Sequence, residues 1–513
     1  MSLDRRSLFR AGGVVAAASV ITMTTGSNAS AAARTVAVPT TRRTATTRGA
    51  VTGGKHAAAG PRSAPPLTTR NPLVEQRADP FVTRPVDGMY YLTGSVPEYD
   101  RVVIRGATTL DGLATARERT IWRRPASGSM GGYIWAPELH RIGDRWYVYF
   151  AAGDSDDPFR IRTYVLESIN DDPRSTGWLP PKRMVTGWDS FTLDATTFEH
   201  RDRRYFVWAQ SEPGIATNTN LYIAEMVSPL ELVTPVVRIA VPTLNWEVQG
   251  FRVNEGPAVL VRNGRVFVTF SASATDARYN MGLLYADENS NLLDARSWTK
   301  VPNPIFVTNT ETRQFGPGHN SFTVAEDGET DVLVYHARDY RDINGDPLFD
   351  PNRHTRVQKL YWNEDGTPSF GVPVGKGGTI VRLSPLDAPN LVVRHAEFRL
   401  RVEGNVREVA DSWFRLVPGH LGAGTVSLQS ANFPNNYVRA GEGVLRIEPF
   451  TETDEYGRAT SFVKVPGLVD RSAVSFRLLD DSGAYIAHDN GRLVVARPGR
   501  GRAERERSTF RLG

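Results

Sequence analysis

Four carboxylates and one histidine recur at nearly regular intervals through the middle of this 513-residue chain: Asp79, Glu138, Asp194, Glu255 and His319, spaced by 59, 56, 61 and 64. Their settings are Ala78-Asp79-Pro80, Trp135-Ala136-Pro137-Glu138, Leu193-Asp194-Ala195, Asn254-Glu255-Gly256-Pro257 and Gly318-His319-Asn320-Ser321. Hydrolysis of a glycosidic bond needs an acid to protonate the leaving oxygen and, on the other face of the sugar, a base or nucleophile. A third carboxylate close to the acid raises its pKa by like-charge repulsion and keeps it protonated near neutral pH. Asp79, Asp194 and Glu255 could fill these roles if the fold brings them together.

The elements around them suggest how. Each residue precedes, across a turn containing Asp, Asn or Gly, a run rich in aromatic and β-branched residues: Met89–Ser95, Arg145–Gly153, Arg204–Gln210, Arg265–Ser273 and Asp331–Arg338. A second strand-like run follows each, as in Arg101–Arg105, Ile161–Glu167, Asn220–Met226, Met281–Ala286 and Arg356–Trp362. Five units of about 60 residues predict a five-bladed β-propeller over residues 71–375, because one blade cannot bury both its faces alone. Residues in phase with that repeat would face one central channel. Singly, an Asp at a strand start is often only a turn residue; the shared phase is what argues for chemistry.

Other polar and aromatic residues have two readings. His319 is either a buried ring supporting the site or a ligand, direct or through water, for an axial cation. Trp135 and Trp246 are core aromatics or stacking faces for a sugar. Arg338, Arg353 and Arg356 either close the ring or bind substrate hydroxyls, Arg353 being the first choice.

The ends differ from this middle. Arg5 and Arg6, the apolar run Ala11 to Met23 and the small residues through Ala33 read as a twin-arginine export signal over 1–33. The apolar run is too short for a bilayer span, so a secreted, extracellular protein with no membrane attachment after signal removal is expected. Residues 34–70 lack periodicity and large apolar side chains and read as a disordered linker. Residues 1–70 carry a net charge of +9, leaving −4 for 71–513, so the overall +5 belongs to the leader and nucleic acid is not an expected partner. There is no cysteine, hence no disulfide. Helix should be scarce and the protein a monomer.

From residue 380 a second repeat begins. Trp413-Phe414, Ser461-Phe462 and Thr509-Phe510 place Phe twice at an interval of 48, and Val392–His395, Tyr437–Ala440 and Tyr485–His488 mark the earlier half of each copy. Three such repeats over 380–513 predict a β-trefoil with the Phe residues in its core.

The motifs quoted above, together with Arg77-Ala78-Asp79-Pro80, Tyr335-His336-Ala337-Arg338 and Arg353-His354-Thr355-Arg356-Val357-Gln358, resemble glycoside hydrolase family 43, in particular its exo-acting α-1,5-L-arabinofuranosidases. The resemblance implies an inverting enzyme that releases L-arabinofuranose from arabinan or arabino-oligosaccharides, with Asp79 as general base, Asp194 as modulator of pKa and orientation, and Glu255 as general acid. Inversion requires the Asp79 and Glu255 carboxyls roughly 6.5–9.5 Å apart, with room for water. A debranching arabinofuranosidase on arabinoxylan, or a β-xylosidase, would share the scaffold; a non-enzymatic carbohydrate-binding protein would lack one of the carboxylates. No cofactor is implied for the chemistry, although family members often hold calcium or a similar ion near the position matched by His319. The C-terminal region is similar to carbohydrate-binding module family 42. That likeness implies one sugar pocket with His395 and Asp411, a dead second repeat with Ala440 and Ala459, and a weakened third with His488 but Arg507.

Overall fold

The computed structural model describes residues 66–513; the export signal expected over 1–33 and residues 34–65 of the expected linker lie outside the described residues. The aromatic runs are the second strands of five antiparallel sheets, Tyr90–Ser95, Arg145–Ala152, Arg203–Gln210, Arg265–Ala272 and Asp331–Arg338. Each pairs with a first strand, Ala78–Val82, Ile134–Ile142, Thr192–His200, Asn254–Arg262 or Phe315–Val324, and with a third strand on its other side. These sheets are the blades of a five-bladed β-propeller. Blades stack face to face, so a second strand has apolar neighbours on both sides; Asp331–Arg338 is buried along its whole length. That is why these strands read as continuous β-branched and aromatic runs without a polar alternation. The hairpin turns Asp87-Gly88 and Asn263-Gly264 have both residues at positive φ, the turn geometry that matches strand twist.

The first strands share one irregularity that builds the channel. In each, a residue with positive φ sits in a β-bulge: Asp79, Ala136, Asp194, Gly256 and His319. The residue before it pairs with the second strand, as in Ala78 with Ser95, Trp135 with Ala151, Leu193 with Ala209, Glu255 with Ser271 and Gly318 with His336. The residue after it is Pro80, Pro137, Ala195, Pro257 or Asn320, and proline loses nothing where the ladder is already broken. The structural equivalents of Asp79, Asp194 and His319 are therefore Ala136 and Gly256. Glu138 lies two residues beyond its blade's bulge and Glu255 one before, which corrects the shared phase expected for all five.

Freed from the ladder, the bulge N–H groups turn to the preceding blade. The N–H of Asp79 donates to His336 Nδ1 (3.0 Å), that of Ala136 to Ser95 Oγ (2.8 Å), that of Gly256 to Asp194 Oδ2 (2.9 Å) and that of His319 to Ser271 Oγ (2.7 Å). Four bonds thus run around the axis and fix the blades against one another.

The ring closes on itself. The third strand of the last blade is His354–Lys359, shorter than the expected Arg356–Trp362, because Tyr361–Trp362 pairs with Pro368–Ser369 instead. The outer place is taken by residues 71–74: the Leu73 N–H donates to the Thr355 carbonyl (2.8 Å), and the Asn71 side chain bonds both the N–H and the carbonyl of Val357. Leu67 and Thr69, expected in the linker, are buried here, Leu67 beside Leu73, Val74 and Val332.

Residues beyond 380 form the β-trefoil. Phe414, Phe462 and Phe510 are fully buried and bridge to Val381, Val426 and Val474 in three equivalent antiparallel pairings between repeats. Propeller and trefoil belong to one compact unit. Trp413 packs on Gly371 and Tyr361, and Arg415 donates to the carbonyls of Gly375 (2.7 Å) and Gly378 (3.2 Å), so trefoil side chains clamp the segment that follows the last blade. Among the described residues helix is limited to short pieces such as Asp454–Thr460 and Arg502–Arg507. Among the described residues no helix is long and apolar enough to cross a membrane.

Candidate active site

Asp79, Asp194, Glu255 and His319 meet at one end of the propeller axis, where the first strands begin. All are nearly buried, with exposures of 7% for Asp79, 5% for Asp194 and 8% for Glu255. His319 Nδ1 lies 3.3 Å from Asp79 Oδ1 and 3.8 Å from Asp194 Oδ2, so the imidazole stands between the two aspartates. Asp79 also accepts from Ser95 Oγ (2.5 Å) and from Arg353 Nη1 (3.2 Å). Arg353 reaches on to the Tyr99 hydroxyl (2.8 Å). Glu255 Oε1 accepts from the Tyr279 hydroxyl (2.9 Å).

Electrostatics separates the two aspartates. Burial opposes ionisation of Asp79, but the Arg353 charge, then His319 and His336 and the Ser95 hydrogen bond, outweigh it and hold the carboxyl well below the usual carboxylate range. Asp194 has no arginine at hand. Burial, with the charges of Glu255 and Asp79, pushes it up to about 7 against the pull of His319 and the Gly256 N–H. Burial lowers the His319 pKa, yet Asp194, Asp79 and Glu255 together raise it above the ordinary value. His336 is driven the other way by burial and Arg353, consistent with its Nδ1 accepting the Asp79 N–H as a neutral ring. Tyr279, its pKa raised by burial and by Glu255, remains a phenol donor. One end of the channel therefore holds a carboxylate kept ionised, Asp79, beside one that is readily protonated, Asp194, so the site can carry a proton and an ionised carboxylate together.

The remaining expected residues divide. Arg353 is at the site. Trp135 is buried beside Tyr99 and Tyr133, stacked on the latter at 5.7 Å and 10°. Trp246 takes a packing position, lying on Phe270 and donating its indole N–H to the Pro302 carbonyl (2.9 Å). Arg338 ties Asp350, Thr275 and Pro347 together, and Arg356 pairs with Asp339, so both order loops. Among the described residues no group of three or more His, Cys, Asp or Glu is arranged to hold a metal ion, and His319 Nδ1 faces the carboxylates of Asp79 and Asp194. Ser95, Ser271, His336 and Tyr279 were not singled out from sequence. The first three stand directly across the hairpin from the residue before a bulge, so counting back through the turn would have found them.

The trefoil repeats present three related clusters. In the first, His395 Nε2 lies 3.0 Å from Asn432 Oδ1, whose amide donates to Asp411 Oδ1 (2.9 Å), with the rings of Phe398 and Phe433 against the imidazole. Arg394 also donates to Asp411 (3.0 Å). Asn432 lies six residues after Val426, and its equivalents six after Val381 and Val474 are Asp387 and Asp480. In the third cluster His488 Nε2 is 2.7 Å from Asp387 Oδ1, and Arg507 stands 4.0 Å from the same carboxylate. The carboxylate missing at position 507 is thus supplied from the start of the first repeat. The second cluster has Asp480 but neither imidazole nor acid at Ala440 and Ala459; Arg458 lies 3.7 Å from Asp480.

Comparison with known proteins supports this reading of both parts. Residues 69–368 match the model of glycosyl hydrolases family 43, and residues 381–512 match the α-L-arabinofuranosidase B (ABFB) domain. The chain is 53% identical over 379 residues to the extracellular exo-α-(1→5)-L-arabinofuranosidase of Streptomyces avermitilis, covering 74% of this chain and 79% of that protein. It is 48% identical over 465 residues to α-L-arabinofuranosidase 43 of Humicola insolens, covering 88% of this chain and 96% of the other. The crystal structure of α-L-arabinofuranosidase from Lactobacillus brevis superimposes with a TM-score of 0.59 at 53% identity, over 60% of this chain and 98% of that one.

Proposed function

The chain belongs to glycosyl hydrolases family 43, and from that premise we propose that it is an inverting exo-α-1,5-L-arabinofuranosidase acting outside the cell on arabinan or arabino-oligosaccharides. The observation that carries the reaction is the polarised carboxylate cluster on the propeller axis. Asp79, kept ionised by Arg353, takes the proton from the attacking water. Glu255, held by the Tyr279 hydroxyl, gives its proton to the leaving oxygen. Asp194 sits across the Gly256 N–H from Glu255, where the two carboxyls raise each other's affinity for a proton and the Asp194 hydrogen bond fixes the backbone that carries the acid. The substrate class is supported by the names and high identity of the relatives and by the arabinofuranosidase B domain at the C-terminus. His395, Asp411 and Asn432 are proposed to hold an arabinofuranosyl branch or chain end, with a second, altered pocket at His488 and Asp387.

Product analysis of the mature protein on linear α-1,5-arabino-oligosaccharides, arabinoxylan and xylo-oligosaccharides tests this reading. Arabinose alone from the linear substrate, lost in Glu255→Ala, is the expected result. Xylose, or arabinose from arabinoxylan only, would replace it with another activity on the same scaffold.

A further inference from the structure

One large aromatic ring stands half exposed at the end of the propeller that carries the site. Phe349 is 51% exposed. Isolated exposed apolar residues are common; what distinguishes this one is where it is held. It ends the short 3-10 turn Pro347–Phe349, in the loop joining the second and third strands of the last blade, at the end of the propeller where the first strands begin. The turn is fastened on both sides. Asp346 Oδ1 accepts the Leu348 N–H (2.9 Å), Arg338 donates to the Pro347 carbonyl (2.7 Å), and the carbonyl of buried Leu348 accepts the Tyr99 hydroxyl (2.5 Å). Tyr99 in turn accepts from Arg353, which binds Asp79. The ring is therefore carried by the same chain of bonds that positions the ionised carboxylate.

A continuous aromatic wall joins it to the axis. Trp135, next to the bulge residue Ala136, stacks on Tyr133, and Tyr133 meets Phe349 with ring centroids 5.7 Å apart at 58°. Resting on the exo reading above, the terminal arabinofuranosyl unit fills the closed end beside the carboxylates, and the rest of the chain must leave along this wall. We propose that the exposed face of Phe349, with Tyr133 beside it, is the platform for the penultimate arabinofuranosyl unit, on the leaving-group side of the scissile bond. The apolar C–H face of a furanose has the chemistry to cover such a ring, and a rigid aromatic binds it with little loss of conformational entropy.

The test compares kcat/KM of wild type, Phe349→Ala and Phe349→Tyr on α-1,5-arabinotriose and on methyl α-L-arabinofuranoside, which has no penultimate sugar. The alanine variant should lose about 5- to 10-fold on the triose, the effect of uncovering one sugar-sized apolar contact, and stay within about twofold on the methyl glycoside. The tyrosine variant should keep most activity on both. Equal loss on both substrates, or no loss on the triose, would overturn the platform while leaving the wild-type activity intact. If wild type released arabinose from neither substrate, the exo reading would fall and the platform with it.

Discussion

Asp79 and Asp194 occupy equivalent bulges two blades apart, yet one is held ionised and the other titrates near neutrality. The difference is Arg353, which reaches Asp79 and not Asp194. The folded-state pKa of Asp194, about 7, exceeds the ~3.9 of an unfolded aspartate. The folded protein thus holds this proton more tightly, a stabilisation that is complete below pH ~4 and is lost as the pH rises through 7. Asp194→Asn, with no charge to bury, should gain in melting temperature relative to wild type as the pH is raised from 5 to 8, while kcat falls by ~100-fold or more through loss of the modulating charge. A melting-temperature difference that is constant over that range would contradict the buried-proton explanation. At this scale the sequence was informative about identity and weak about partnership. The three acids, His319 and Arg353 were visible, but the hydroxyls that aim them, Ser95 and Ser271 in strands and Tyr279 just before one, look like any other residues of a β protein. Trp246, chosen for its type, lies on Phe270 and bonds the Pro302 carbonyl; composition alone does not separate such an indole from a sugar platform.

Among the elements, the bulged first strand sets the geometry of the site. The bulge sets Asp79, Asp194 and His319 at positive φ toward the axis and releases N–H groups to the neighbouring blade, so the same device places these side chains and joins the blades. Gly256 shows the tolerance. A Cβ there would lie 3.1 Å from His319 Cγ and 3.2 Å from its Nδ1, on top of the strain of φ +56°, whereas a Cβ on Gly264, at φ +75° in an exposed hairpin turn, meets nothing within 4 Å. Gly264→Ala should cost about 1 kcal/mol in urea unfolding and leave kcat unchanged. Gly256→Ala should cost more and lower kcat, because the His319 ring must move; equal effects from the two substitutions would mean that the bulge does not position the site. The strands and the five-blade count could be read from aromatic periodicity. The bulges could not, since one extra residue leaves composition and spacing almost unaltered, and so Glu138 and Glu255 were placed in phase when Ala136 and Gly256 are. The proline after three of the five bulges, Pro80, Pro137 and Pro257, was the available signal.

For the molecule as a whole, the segment between propeller and trefoil is fixed by side chains of the trefoil. Trp413 and Arg415 of the trefoil cover the segment 371–378, and Asn71 and Leu73 pair into the last blade from the other terminus. Removing residues 380–513 would uncover this surface as well as the sugar clusters, so point substitutions separate the roles better. His395→Ala with Asp411→Ala should weaken retention on insoluble arabinan severalfold and leave kcat/KM on arabinotriose unchanged; unchanged retention would place polymer binding elsewhere, at His488 and Asp387 first. The trefoil itself was legible from the 48-residue interval of its Phe residues, because each fills an equivalent core position. The contribution of Asp387 was not, since it lies 101 residues from His488 and meets it only when the three repeats close.

The most direct measurement is a time-resolved NMR record of the sugar released from α-1,5-arabinotriose by the mature enzyme, beside Glu255→Ala. An Asp79 base acting through water opposite a Glu255 acid predicts arabinose as the first product, initially as the β-furanose, with no signal from the variant over the same interval. Initial α-furanose would mean retention through a covalent intermediate, and comparable turnover by Glu255→Ala would mean that another group is the acid; either would contradict the mechanism built on this carboxylate cluster.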